Sequence, residues 1–214
     1  MRIIAGFPVV NLQQKSVSNN HSKSSLTQKS IIGAASRILI EDGYNGFTLR
    51  KVAEAAGISI GNLNYHYPTK VALIDALLDH ITNRIIEGSS EVADRAGDSP
   101  EKRFRAVLEY WIDDLQTVET TVFFPEIWAL ANHHDFAKDT VSRSYHHARD
   151  ILHTLVSDLN PTLPVARVDL IAKLICASLE GLTVFIGHEK MWQQDHVDIK
   201  RMTIDHFVEL IARS

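Results

Sequence analysis

Apolar residues return every three or four positions at Leu73, Ile74, Leu77, Leu78, Ile81 and Ile85. That interval is one helical turn, so all six side chains share one face. The same interval recurs at Ile31, Ala35, Ile38 and Leu39, and again between Leu170 and Ile186. No stretch alternates apolar and polar residues over the length of a strand. Six prolines and ten glycines in 214 residues leave few breaks in the pattern. The expected fold is all-α. With 45% hydrophobic and 22% charged residues the chain is globular and long enough to bury a core.

Local signals divide this pattern into helices. Ser25-x-x-Gln28 fits a capping box and places the first helix start near Ser25, with Gly43 as its C-terminal stop. Residues 1–24 are polar toward their end and read as a flexible N-terminal extension. Thr48 caps a second helix that ends at Ala56, and Phe47 is placed to staple onto Val52. Gly57 supplies the freedom for a sharp turn, and Ser59 caps a third helix that runs to about Tyr67. Pro68 and Thr69 break the chain and cap a fourth. Ser99 and Pro100 open a helix to about Thr117. The segment "TTVFFPEIWALAN" reads as a short helix interrupted or started at Pro125. Longer helices follow over about 135–159, 164–188 and 198–212.

Two helices joined through an alanine–glycine turn and packed on a third make a helix-turn-helix. Its third helix, within "ISIGNLNYHYPTK", is too short and too polar to be a core element. Leu63 and Tyr67 lie four apart and take the inner side, which leaves Asn62, Asn64, Tyr65 and His66 for the outer face. Asparagine pairs with an adenine edge, and tyrosine or histidine donates to phosphate or stacks on sugar. His66 has two readings, a DNA contact or packing on the fourth helix. Thr48 and Lys70 stand at helix starts, where free N–H groups favour phosphate, although Thr48 also serves as a plain cap.

Charge follows the same division. The formal net charge is −4, which taken alone argues against a nucleic-acid partner. Residues 22–70, however, carry six Lys or Arg against three acids, while residues 71–214 carry 14 against 23. A basic front on an acidic body suits a chain whose front alone meets an anion.

The stretch "GYNGFTLRKVAEAAGISIGNLNYHYPTKVAL", residues 43–73, resembles the TetR family of bacterial transcriptional regulators. The likeness rests on Gly46, Phe47-Thr48, Val52-Ala53, Ala56-Gly57-Ile58-Ser59, Leu63-Asn64-Tyr65-His66-Tyr67 and Lys70 at fixed spacing. It covers about residues 27–85. Asn64 stands where the family usually has a tyrosine on phosphate, and Tyr67 where a phenylalanine usually packs inward. The resemblance implies a three-helix DNA-binding domain over 25–70, followed by a larger helical ligand-binding and dimerisation domain over 71–214. It implies double-stranded operator DNA as partner, with Thr48, Arg50, Ser59, Asn62, Asn64, Tyr65, His66 and Lys70 as contacts. Arg50 becomes a candidate reader of guanine, whose O6 and N7 match its fork.

The body carries an aromatic set: Trp111, Phe123, Phe124, Trp128, Tyr145 and Phe185. Each is core, or together they wall a ligand cavity to which Tyr110, Gln116, Glu126, His133, His146 or Glu180 adds polarity. The resemblance favours a pocket for a small-molecule effector. Between about 164 and 188 two apolar stripes occur. One holds Ile171, Ile175, Leu182 and Ile186; the other holds Leu170, Leu174, Ala177, Gly181 and Val184. A helix apolar on two sides is covered on both, which suits a homodimer through 164–188 and 198–212.

Enzyme signatures are missing: there is no Gly-rich phosphate loop, no Gly-x-Ser-x-Gly and no Cys/His framework. Neither a cofactor nor a metal is expected, because His133-His134 and His146-His147 are neighbouring pairs whose rings point apart on a helix. The most apolar region, Leu170 to Gly187, contains Lys173 and Glu180 and is not read as a membrane span. The start "MRIIAGFPVV" lacks a secretory-signal layout. Cys176 is the only cysteine, which fits a reducing cytoplasm. The leading expectation is a cytoplasmic repressor released from its operator by a small, largely apolar ligand. The competing expectation is a helical ligand-binding module or enzyme whose front helices merely pack.

Overall fold

Gly43 breaks the first helix by leaving helical geometry (φ 62, ψ 179), a backbone that side chains with a Cβ rarely adopt. The computed structural model in which this is seen describes residues 19–214, and side-chain surroundings from Ser25 onward. Residues 1–18 of the expected N-terminal extension lie outside the described residues. Helix α1 spans Asn19–Gly46 with its kink at Gly43. It therefore begins six residues before Ser25, and the capping box expected there sits inside the helix. The cause is plain in the sequence: "NNHSKS" holds no glycine or proline to stop the helix extending upstream.

The next three helices follow their caps. They are α2 (Leu49–Ala55), α3 (Ile60–His66) and α4 (Lys70–Arg95). Beyond them lie α5 (Pro100–Asp114), α6 (Val118–Ala131), α7 (Asp135–Leu159), α8 (Val165–Ile186) and α9 (His196–Arg213), the last entered by a 3₁₀ turn over Gln193–Asp195. Among the described residues there is no strand.

Pro125 was expected to interrupt or begin its helix. Instead α6 runs through it, starting seven residues earlier. The start is set by Thr117, whose Oγ1 accepts the Thr120 N–H at 3.2 Å.

The described residues form two compact units. One comprises residues up to Thr82 together with Val122–Val141; the other comprises Asn83–Thr121 together with Ser142–Ser214. The units thus do not part at residue 70. The first keeps α4 as far as Thr82 because Leu73, Ile74, Leu77, Leu78 and Ile81 are all buried, as are Ile31, Ala35 and Leu39 of α1 and Phe47, Val52 and Leu63. Each of these side chains larger than alanine contributes about 1.5–3 kcal/mol on burial. The second unit is built on Phe104, Leu108 and Ile112 of α5, Leu152 and Val156 of α7, Ile171 and Ile175 of α8, and Ile204, Phe207 and Ile211 of α9. Within it the Trp111 Nε1–H donates to Ser89 Oγ at 2.7 Å, and Ser89 donates to the Ile85 carbonyl, so the fully buried serine is satisfied.

Candidate nucleic-acid interface

Two side-chain caps and one glycine set the geometry of α2 and α3. Thr48 Oγ1 accepts the Lys51 N–H at 3.3 Å, and Ser59 Oγ accepts the Asn62 N–H at 3.2 Å. Each cap satisfies a donor that the first helical turn leaves free. Between them Gly57 has φ 68, and the N–H of Ile58 closes the turn on the Ala53 carbonyl at 3.0 Å. Arg37 of α1 reaches the Ala55 carbonyl at 3.4 Å and so takes an acceptor at the end of α2.

With Leu63 fully buried, the rest of α3 faces outward. Asn62 and Asn64 are exposed, and Tyr65 is 83% exposed, an unusual degree for an aromatic ring. Arg50 is exposed on α2. His66 is half-buried, with its ring 5.2 Å from Tyr65 and 6.4 Å from Tyr67. Burial raises the Tyr67 hydroxyl above its ordinary pKa, as expected of a ring turned inward.

Lys70 differs from the other expected contacts. Its ammonium donates to the Tyr44 carbonyl at 2.6 Å and lies 3.6 Å from the centre of the Tyr44 ring. Desolvation lowers its pKa. In this structure Lys70 faces the kink after Gly43, so a phosphate contact requires its side chain to swing outward. Lys51 is also engaged, with Asp42 at 2.7 Å, although that pair is largely exposed and worth little.

A basic, capped helix pair with an outward polar face on its second helix is the geometry of major-groove readers. The family model for bacterial regulatory proteins of the tetR family matches residues 31–77, the span of this helix pair and its supports. That region is similar to the DNA-binding part of the TetR family. Among its relatives, the HTH-type transcriptional regulator BetI of Burkholderia thailandensis is 29% identical over 157 residues, covering 71% of this chain and 77% of that protein. The HTH-type transcriptional regulator CymR of Pseudomonas putida is 25% identical over 181 residues, covering 82% and 85%. Among solved structures, a TetR transcription regulator from Haloarcula marismortui superposes with a TM-score of 0.73 at 18% identity, over 87% of this chain and 98% of that one. A transcriptional regulator from Rhodococcus reaches 0.71 at 18% identity, over 87% and 96%. Each of these similar proteins is a transcriptional regulator.

The expected effector-binding aromatics divide between the two units. Phe123, Phe124 and Trp128 form a run on α6 in the unit of the helix-turn-helix, with ring centres 5.7 and 6.2 Å apart, and Phe123 is fully buried. Trp111, Tyr145 and Phe185 belong to the other unit. Phe185 is 40% exposed and stacks on Trp192 at 4.7 Å. Three of the polar residues expected beside a ligand serve the backbone instead. Tyr110 Oη donates to the Arg84 carbonyl, Gln116 Nε2 donates to the Ile186 carbonyl, and Glu126 accepts the Tyr44 N–H. Periodicity carries no sign of these pairings, which span 26, 70 and 82 residues. No group of three or more His, Cys, Asp or Glu among the described residues is arranged to hold a metal ion. No helix among them is long and apolar enough to cross a membrane.

Glu180 is the one carboxyl in this set that burial perturbs strongly. Desolvation pushes it up to about 7, against the opposing effect of the hydrogen bond that the Tyr145 hydroxyl donates to it. Cys176, one turn earlier, is pushed up to about 11, by burial first and then by the charge of Glu180, so its thiol stays protonated at neutral pH. An acid whose folded pKa lies above its unfolded value binds more protons folded than unfolded. Stability therefore falls as pH rises from about 4.5 to about 7. Glu180→Gln removes that slope. Urea unfolding at pH 5 and pH 8 should show wild type losing more stability than the variant, by on the order of 3 kcal/mol. Equal losses would show that Glu180 is not desolvated.

Proposed function

We propose that this protein is a repressor that grips its operator as a two-fold dimer and releases it when a small, largely apolar molecule binds within residues 100–190. The observation that carries the DNA-reading part is the outer face of α3, where Asn62, Asn64 and an 83% exposed Tyr65 stand over a fully buried Leu63. Nothing in core packing calls for that face, whereas a groove lined with base edges and phosphates does. Thr48, Arg50, Ser59 and His66 flank it as further contacts, and Lys70 joins them once it leaves Tyr44.

The dimer reading is supported by the two stripes of α8. Ile171, Ile175 and Ile186 are buried in their own unit, while Leu170, Leu174 and Val184 remain 58%, 49% and 50% exposed beside exposed Ala177 and Gly181. A contiguous apolar stripe left in water is the usual mark of an interface. In α9, Phe207 and Ile211 are buried in the chain's own core, and Ile199 and Leu210 pack against it. Of the large apolar residues of α9, Val197 and Met202, 69% and 67% exposed, are left for a partner. The dimer therefore rests chiefly on α8.

Release requires differential affinity, since an effector that binds both conformations equally shifts nothing. The candidate contacts are Phe123, Phe124 and Trp128 in one unit, or Trp111, Tyr145 and Phe185 in the other, and the proposed compartment is the cytoplasm. Selection of bound duplexes from a random DNA pool tests the reading. The enriched site should be an inverted repeat with half-sites about 34–36 Å apart, the separation of two recognition helices on one DNA face. A reporter placed behind that site should fall when the protein is expressed. A pool without enrichment, or a reporter that rises, counts against a repressor.

A further inference from the structure

Tyr44 lies four residues ahead of the Thr48 cap, just past the kink at Gly43. Everything downstream, α2 and then α3, takes its direction from that kink. Three elements distant in sequence converge there. From α6, Glu126 Oε2 accepts the Tyr44 N–H at 3.2 Å. The same carboxylate stands over the kink itself, because a Cβ placed on Gly43 would lie 3.5 Å from it. From the first residue of α4, the Lys70 ammonium donates to the Tyr44 carbonyl and sits over its ring. From the link before α7, the His134 ring lies 5.9 Å from the Tyr44 ring. All of these residues belong to the unit that contains the helix-turn-helix.

From this convergence we infer that Glu126 is a positioning residue for DNA recognition. By fixing Tyr44 it holds α2 and α3 at the angle in which Arg50, Asn62 and Tyr65 reach the groove, although it touches no DNA itself. A hydrogen bond to a charged acceptor is among the stronger kinds and is directional, so it selects one kink angle from several that Gly43 permits. The inference rests on the DNA-reading role proposed for α2 and α3.

Glu126→Gln and Glu126→Met test it. The two side chains are equal in length and both uncharged, but only glutamine keeps an oxygen that accepts the Tyr44 N–H. Affinity of the full-length protein is measured for the duplex selected by wild type, with the thermal midpoint read alongside. Glu126→Met should bind about tenfold more weakly and Glu126→Gln within about threefold of wild type, the scale of one lost hydrogen bond to an ordered site. A residue that only stabilises the fold would lower the midpoint of the methionine variant and leave the affinity of its folded fraction unchanged. That result overturns the inference. Arg50→Ala serves as the control for the underlying reading. If Arg50→Ala weakens binding while the two Glu126 variants bind alike, the positioning role fails and DNA reading stands. If Arg50→Ala has no effect, the DNA-reading role itself has failed. Hydrogen exchange of the wild-type protein adds a measurement that no unfolded variant can blur. A slowly exchanging Tyr44 amide supports the clasp, and a freely exchanging one overturns it.

Discussion

Arg50→Ala and Tyr65→Ala should each weaken operator binding by about 1–3 kcal/mol, roughly five- to 150-fold, with helical content and thermal midpoint unchanged. Both side chains are exposed, and Tyr65 is 83% so, which means that little folded structure depends on them. The two variants should differ in kind. Arg50 is the proposed guanine reader, so its loss should flatten the preference for one base. Tyr65 is the proposed phosphate and sugar contact, so its loss should weaken binding to all sequences alike. Wild-type affinity should also fall steeply between 50 and 200 mM salt, as counterion release requires. Anisotropy titrations against a panel of single-base operator variants read both effects. Unchanged affinity in both variants would remove α2 and α3 from the interface.

The parts of this molecule that were legible in its sequence are those whose causes are local. Thr48, Gly57 and Ser59 lie within twelve residues, and each acts on a neighbour three to five positions away, so caps and turn alone delimit α2 and α3. The two stripes of α8 were likewise visible, because period alone decides which residues share a face. Boundary errors arose where one local signal competed with another. Ser25-x-x-Gln28 marks where a helix is able to start, not where it must, and α1 continues upstream to Asn19. Pro125 was weighed as a breaker, yet the Thr117 cap had already opened α6.

What stayed hidden was long-range. Tyr44 meets Lys70 across 26 residues and Glu126 across 82, and no pattern along the chain announces either meeting. Lys70 was read from its place at a helix start, where phosphate is favoured. The structure shows a nearer acceptor in the Tyr44 carbonyl. The division into units was hidden for the same reason, since α4 contributes buried leucines and isoleucines to the front unit well past residue 70.

Leu174→Glu should leave the fold intact and abolish tight operator binding. Leu174 is 49% exposed in the single chain, so a charge there costs the monomer little, within about 0.5 kcal/mol. In a two-fold dimer the same patch faces its own copy, so one substitution enters the interface twice. Two carboxylates would then be desolvated with no cation opposite, which costs several kcal/mol per ion. Sedimentation at micromolar concentration should return the monomer mass, and operator affinity should fall at least a hundredfold, because a monomer holds only one half-site. Ile175→Glu is the contrasting variant. Ile175, the next residue in sequence, lies on the opposite stripe and is fully buried, so the charge enters the chain's own core and should unfold it. The pair separates the two stripes of α8 by outcome: loss of assembly from one, loss of fold from the other. A Leu174→Glu protein that remains dimeric would place the interface elsewhere, and with it the spacing of the two α3 helices on DNA.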